Sequence, residues 1–232
     1  MCARCSKCFR AKEFCLCDCI KEFDSGIKFV FLMHPKEYKR QRTGTGLLAK
    51  NSLCGSEIIV GLDFTQNERL KALLEDKSYY PVLMYPSEDS WNASRPGFKE
   101  TVAGRKLLAL IIDSTWFCSK KVIQHSPNLL RLPKLSFSGD YRSIFTFKRE
   151  PRPECVSTIE TCYYLIKELQ PLGLASNANP EPLMNVFKQM IKDQIRAENE
   201  RIDGLRPNVH SKDLRYRRKK EIPDYLELKP CT

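Results

Sequence analysis

What this chain lacks sets the first bounds. No apolar run approaches the roughly 20 residues a membrane-spanning helix needs, and the N-terminus has no hydrophobic stretch of signal-peptide type. The sequence therefore predicts a soluble, cytoplasmic protein with no membrane partner. With no sign of a secretory route, a disulfide framework is not expected either. Acidic residues are in short supply: 28 Asp+Glu against 39 Lys+Arg leave a formal net charge of +11. An excess of that size favours a polyanionic partner, nucleic acid before others. There is no internal repeat, no low-complexity tract and no phosphate loop. The run Thr43-Gly44-Thr45-Gly46 lacks the Walker spacing and its trailing Gly-Lys. A chain of 232 residues can bury one α/β core with a small appendage, or two small domains.

Cysteine, by contrast, is abundant, and six of the 11 fall within the first 19 residues. Clustered thiols in a chain kept under reducing conditions are better read as metal ligands than as bridges. Cys5-x2-Cys8-x6-Cys15-x-Cys17 offers four thiolates at spacings a tetrahedral structural zinc accepts, with Cys2 and Cys19 as alternative ligands. The plainer alternative is a reduced tail. Cysteines 54, 118, 155, 162 and 231 are scattered and look like buried or incidental thiols.

Beyond this knuckle the apolar pattern is that of an α/β protein. Leu107–Asp113 is a nearly continuous apolar run without alternation, as expected of a strand covered on both faces of a parallel sheet. Ile27–His34, Glu57–Leu62, Tyr80–Tyr85 and Leu129–Phe137 supply the other expected strands. Glu68–Glu75 and Phe117–His125 suit short helices. Ser157 and Glu160 have the spacing of a capping box at the start of a helix over Thr158–Leu169. Pro182–Arg201 has apolar residues every three or four positions, the pattern of a long amphipathic helix. The expected organisation is a Cys-rich knuckle at 1–22, an α/β body at 23–204 and a basic tail at 205–232.

In parallel α/β sheets ligands gather beyond the carboxyl ends of the strands. Asp113, ending the strongest strand, is thus the first candidate for a working carboxylate, although an acid there also suits helix capping. Tyr85 and Pro86 end another strand and are either support for a bound ligand or an ordinary turn. Trp116 either shapes a pocket or joins the core, and His34 either donates to a substrate or serves structure. Basic side chains fall in three clusters. Lys36, Lys39, Arg40 and Arg42 follow the first strand, Lys120 and Lys121 follow Asp113, and Arg215, Arg217, Arg218, Lys219 and Lys220 surround Tyr216.

Together these residues resemble the DTW-domain family. Asp113-Ser114-Thr115-Trp116 is similar to its D-x-T-W motif, and Ser157-Thr158-Ile159-Glu160 to its S-T-x-E motif. His34-Pro35-Lys36-Glu37, Thr45-Gly46, Tyr85-Pro86, Ser126-Pro127 and Arg149-Glu150-Pro151 follow in the family's order, and the four-cysteine spacing recurs there. The chain departs from the usual pattern at Gly44 (often Asn), at Arg10-Ala11 (often containing Pro) and at Lys148 (often Arg). A lysine there gives a point charge rather than a bidentate fork.

The resemblance implies a SPOUT-like α/β fold, a mostly parallel sheet with a knotted C-terminal part, plus the small N-terminal zinc knuckle. It implies a tRNA-uridine aminocarboxypropyltransferase, moving the 3-amino-3-carboxypropyl group of S-adenosylmethionine to N3 of a tRNA uridine and releasing methylthioadenosine. Asp113 would be the general base, its pKa raised by partial desolvation. Tyr85, Pro86, Asp113, Ser114, Thr115, Trp116, Ser157, Thr158 and Glu160 would hold the cosubstrate. His34, Arg40, Arg42, Lys120, Lys148 and Arg149 would hold tRNA, and Cys5, Cys8, Cys15 and Cys17 structural zinc. Presenting the methyl carbon instead would make a SPOUT-like RNA methyltransferase. A non-catalytic zinc-bearing RNA-binding protein is the third reading.

Overall fold

Strand β4 (Lys106–Asp113) and strand β1 (Lys28–Met33) lie side by side at the centre of the molecule, apolar and buried along most of their length. The structure, a computed structural model, describes residues 4–39, 44–145, 154–206 and 218–228. Strands β2 (Glu57–Val60), β3 (Tyr79–Met84) and β5 (Lys134–Leu135) complete a five-stranded sheet of order β2-β1-β4-β3-β5. Every pairing in it is parallel. The absence of alternation in β1 and β4 follows, because helices cover both faces.

Successive side chains of these strands divide between two cores. Phe29, Phe31, Ala109 and Ile111 point to one face, where they pack with residues of α2 (Gly46–Ser52), α6 (Thr158–Leu169) and α7 (Glu181–Ile202). Val30, Leu32, Leu108 and Leu110 point to the other, against α3 (Glu68–Glu75) and α5 (Trp116–His125). Two short helices, α1 (Pro35–Lys39) and α4 (Phe98–Val102), complete the set. Fully burying a Phe or Leu side chain contributes roughly 1.5–3 kcal/mol, so these two layers carry most of the fold. No helix among the described residues is long and apolar enough to cross a membrane.

The strand expected over Leu129–Phe137 is much shorter. Leu129–Arg131 forms a 3-10 turn and only Lys134–Leu135 pairs with β3. Pro133 has no N–H to give to a ladder and so limits the strand at its start; its carbonyl still accepts from the Leu83 N–H at 2.9 Å. Past α7 the chain returns: Lys188 Nζ donates to the Glu227 carbonyl at 2.8 Å, Asn199 pairs with the Lys220 backbone, and Leu226 is fully buried.

Candidate active site and metal cluster

The order of the sheet fixes where a ligand can sit. From β1 the chain passes through α1 and α2 to β2 on one side. From β4 it passes through α5 to β5 on the other side, and α2 and α5 cover opposite faces. Adjacent parallel strands whose connections diverge leave a crevice beyond their carboxyl ends. Met33 and Asp113 are register partners at that crevice. His34 follows immediately, its backbone N–H donating to the Asp113 carbonyl at 3.2 Å.

Asp113 is held from two directions. Thr158, at the first turn of α6, donates its hydroxyl to Asp113 Oδ1 at 2.7 Å. The backbone of Gly46 presses against the carboxylate from α2, so that a Cβ there would stand 2.1 Å from Asp113 Oδ2. Only glycine fits, which gives Thr45-Gly46 a steric rather than a phosphate-binding reason. The Asp113 side chain is thereby buried, with 8% of the residue exposed. One turn along α6, burial and then the nearby Asp113 charge push the Cys162 thiol well up, so it stays protonated.

The surrounding residues have distinct duties. Glu160 is fully buried and its carboxylate accepts from the Ser157 N–H and hydroxyl, the Ser143 hydroxyl and the Ile144 N–H, at 2.6–2.8 Å. The capping box expected at Ser157 and Glu160 is formed, and Glu160 also ties residues 143–144 to α6. At the end of β3, the Tyr85 N–H donates to the Leu135 carbonyl and Ser90 returns its hydroxyl to the Tyr85 carbonyl, fixing the turn that leaves Pro86 exposed. Ser114 is paired with Ser119 at 2.7 Å, and exposed Thr115 stands at the N-cap of α5. The Lys36 N–H donates to His34 Nδ1 at 3.0 Å, so in the neutral ring Nε2 carries the proton. Burial, with the charges of Lys36 and Lys121, holds the His34 pKa below its ordinary value.

Of the residues expected to contact RNA, Lys120 is exposed on α5, while Arg40, Arg42, Lys148 and Arg149 lie outside the described residues, as does the side chain of Trp116. In the last basic run, Lys219 pairs with Asp203 at 2.7 Å, and residues 215–217 lie outside the described residues. Phe117, beside Trp116 on the first turn of α5, is 68% exposed, and no motif in the sequence distinguishes it from a core aromatic.

In the N-terminal segment, Cys5, Cys8, Cys15 and Cys17 bring their sulfurs within 4.8 Å of one another. The Cys5–Cys17 and Cys8–Cys15 sulfurs are 3.6 and 3.7 Å apart. A tetrahedral ion with bonds of about 2.3 Å holds its sulfurs about 3.8 Å apart, so the donor set fits. Cys19 is exposed and outside this group, and Cys2 lies outside the described residues. Backbone N–H groups of Cys8 and Lys7 bring the Cys5 thiol down to about 6, whereas burial pushes Cys17 up. Phe9, with a left-handed φ of 56°, closes the first pair into a turn, and the Cys5 N–H donates to the Arg10 carbonyl at 2.8 Å. Arg10 stands near Cys8, Cys15 and Asp193, and its buried Nη2 has no hydrogen-bond partner among the described residues. Leu16, between the last two ligands, is buried in the main core.

Comparison with known proteins supplies an independent line. A family model described as the DTW domain matches residues 2–195. A relative in Drosophila melanogaster named tRNA-uridine aminocarboxypropyltransferase 2 is 29% identical over 218 residues, covering 91% of this chain and 84% of the relative. No solved structure matches the chain.

Proposed function

This chain belongs to the DTW-domain family, and on that premise we propose that it transfers the aminocarboxypropyl group of S-adenosylmethionine to N3 of a uridine in tRNA. The observation that carries the reading is the placement of the family's acid: Asp113 ends β4 at the diverging crevice, held by Thr158 and Gly46. The strand ends suit a sulfonium cosubstrate in charge and in surface. Asp113 brings a fixed carboxylate, and Pro86 and Thr115 remain exposed at the same end of the sheet. Bound there, S-adenosylmethionine supplies an electrophilic γ-carbon and a neutral thioether leaving group.

The uridine N3–H is weakly acidic and must lose its proton before nitrogen can form a bond to carbon. Asp113 accepts that proton as general base, through a carboxylate oxygen. The Thr158 hydroxyl fixes the plane of the carboxylate, and Gly46 keeps the neighbouring backbone from displacing it. Neutral His34 offers its Nε2–H to a uridine carbonyl. Orientation decides which sulfonium carbon faces the nitrogen, and holding two reactants in line is where such a site lowers the barrier most. In this reading residues 1–22 bind structural zinc through the four cysteines, 23–204 carry the transfer, and 205–232 add to the grip on RNA in the cytoplasm. The SPOUT-like knot belongs to the same proposal.

Product identity tests the reading. Unmodified tRNA transcripts incubated with the protein and S-adenosylmethionine are expected to gain an aminocarboxypropyl mass on uridine, with methylthioadenosine released. A methyl gain with S-adenosylhomocysteine would instead identify a methyltransferase. Retention of tRNA with no cosubstrate consumed would identify a binding protein.

A further inference from the structure

Phe117 is 68% exposed on the first turn of α5, four residues beyond Asp113, and Lys121 Nζ sits 4.8 Å from its ring centroid. Tyr38, 53% exposed, occupies α1 just beyond the end of β1. Because β1 and β4 are parallel and in register at Met33 and Asp113, both aromatics lie past the carboxyl ends of the two central strands. Lys36 follows His34 by two residues on α1, and Lys121 lies one turn beyond Phe117 on α5. None of Lys36, Lys120 and Lys121 has a carboxylate partner among the described residues.

The chemistry of the target says what such a surface would meet. Uridine N3 lies on the pairing edge, so the base must be unpaired and turned out before a carboxylate reaches it. Its neighbours then lose a stacking partner, and an exposed aromatic ring replaces it regardless of base identity. Lys121 over the ring, Lys120 next to it on α5 and Lys36 on α1 beyond the end of β1 favour phosphodiesters and disfavour a second copy of a chain carrying +11. We propose that Phe117, with Tyr38 as a second platform, stacks on the unpaired nucleotides flanking the target uridine while Lys36, Lys120 and Lys121 hold their phosphates. The proposal rests on the tRNA reading above and adds the residues that recognise the unstacked strand.

The test measures binding of fluorescent unmodified tRNA transcripts and of oligouridylate to the full-length, zinc-loaded protein over a salt series. Phe117→Ala is expected to weaken both by roughly 5- to 100-fold with the salt slope unchanged, and Phe117→Trp to restore binding. Lys121→Gln is expected to flatten the salt slope by about one unit. Wild-type affinity in Phe117→Ala would overturn the proposal. So would a loss that resides in the salt slope, or a Phe117→Ala variant whose change is in oligomeric state. A wild type that binds RNA through Phe117 yet transfers nothing would sink the transferase reading and leave the platform standing. Equal transfer by wild type and Phe117→Ala at tRNA concentrations well below the wild-type Kd would do the reverse.

Discussion

At the scale of single residues, the candidate site depends on how closely Gly46 approaches Asp113. A methyl group at 46 would fall 2.1 Å from Oδ2, well inside contact distance, and the carboxylate is the neighbour that must yield. Gly46→Ala is therefore expected to lose transfer activity by about 10²-fold or more while the thermal midpoint falls by only a few degrees, as steady-state assay and differential scanning would show. A variant with full activity would remove the steric role. His34 gives a pH-dependent counterpart. Its pKa is lowered in the folded state from an ordinary 6.5, so the unfolded chain takes up the proton first as pH falls. Stability contributed by the neutral ring is present above about pH 6.5 and is lost on acidification through that value toward the folded pKa. Wild type is expected to lose more thermal stability between neutral and mildly acidic pH than His34→Asn, whose side-chain oxygen can still accept the Lys36 N–H. Equal slopes would contradict this.

At the scale of elements, α6 is the piece that assembles the site, since its N-terminus brings Thr158 to Asp113. Glu160 secures that end. Removing its carboxylate leaves the buried Ser157 N–H and the half-buried Ile144 N–H without this acceptor, at up to about 1–3 kcal/mol each. Glu160→Ala is expected to destabilise by about 3–5 kcal/mol in urea unfolding, Glu160→Gln by less, and an unchanged midpoint would disprove the tie. This helix was fully legible in sequence, because a capping box and a 3.6-residue apolar repeat both announce it. The strong strands were legible too, since the apolar runs of β1 and β4 leave no face for solvent. Three helices were not. With 5–7 residues, α1, α2 and α4 are too short to complete an amphipathic repeat, and they follow strands or loops rather than caps. The 3-10 turn at Leu129–Arg131 was not legible either, because a short apolar run has no period to tell turn from strand. Within the site, Asp113 was legible from its strand end. The contact of Gly46 with it was not, because it joins residues 67 positions apart through the register of β1 and β4.

At the scale of the whole molecule, the cysteine cluster is anchored to the core through Leu16. Leu16 is buried among residues of the sheet and α7, and Arg206 reaches from beyond α7 to Glu13 at 2.8 Å. Removing the proposed zinc with a chelator is therefore expected to lower the thermal midpoint of the entire chain rather than melt a separate unit. Two transitions would contradict that. In the proposed site four thiolates around zinc would carry a net charge of −2, and Arg10 stands near them with a buried Nη2 that has no partner among the described residues. Arg10→Met is expected to weaken zinc about 10- to 100-fold in chelator competition, and unaltered affinity would show that the guanidinium does not serve the cluster. The claim that joins these parts is that Asp113 takes the N3 proton while the aminocarboxypropyl arm is delivered. Its most direct test is single-turnover nucleoside mass spectrometry on unmodified tRNA with wild type and Asp113→Asn, which keeps an acceptor for Thr158 but not the base. The expected result is aminocarboxypropyl-uridine from wild type and a rate roughly 10²- to 10⁴-fold lower in the variant at unchanged tRNA affinity. Formation of that product by Asp113→Asn at the wild-type rate would contradict it.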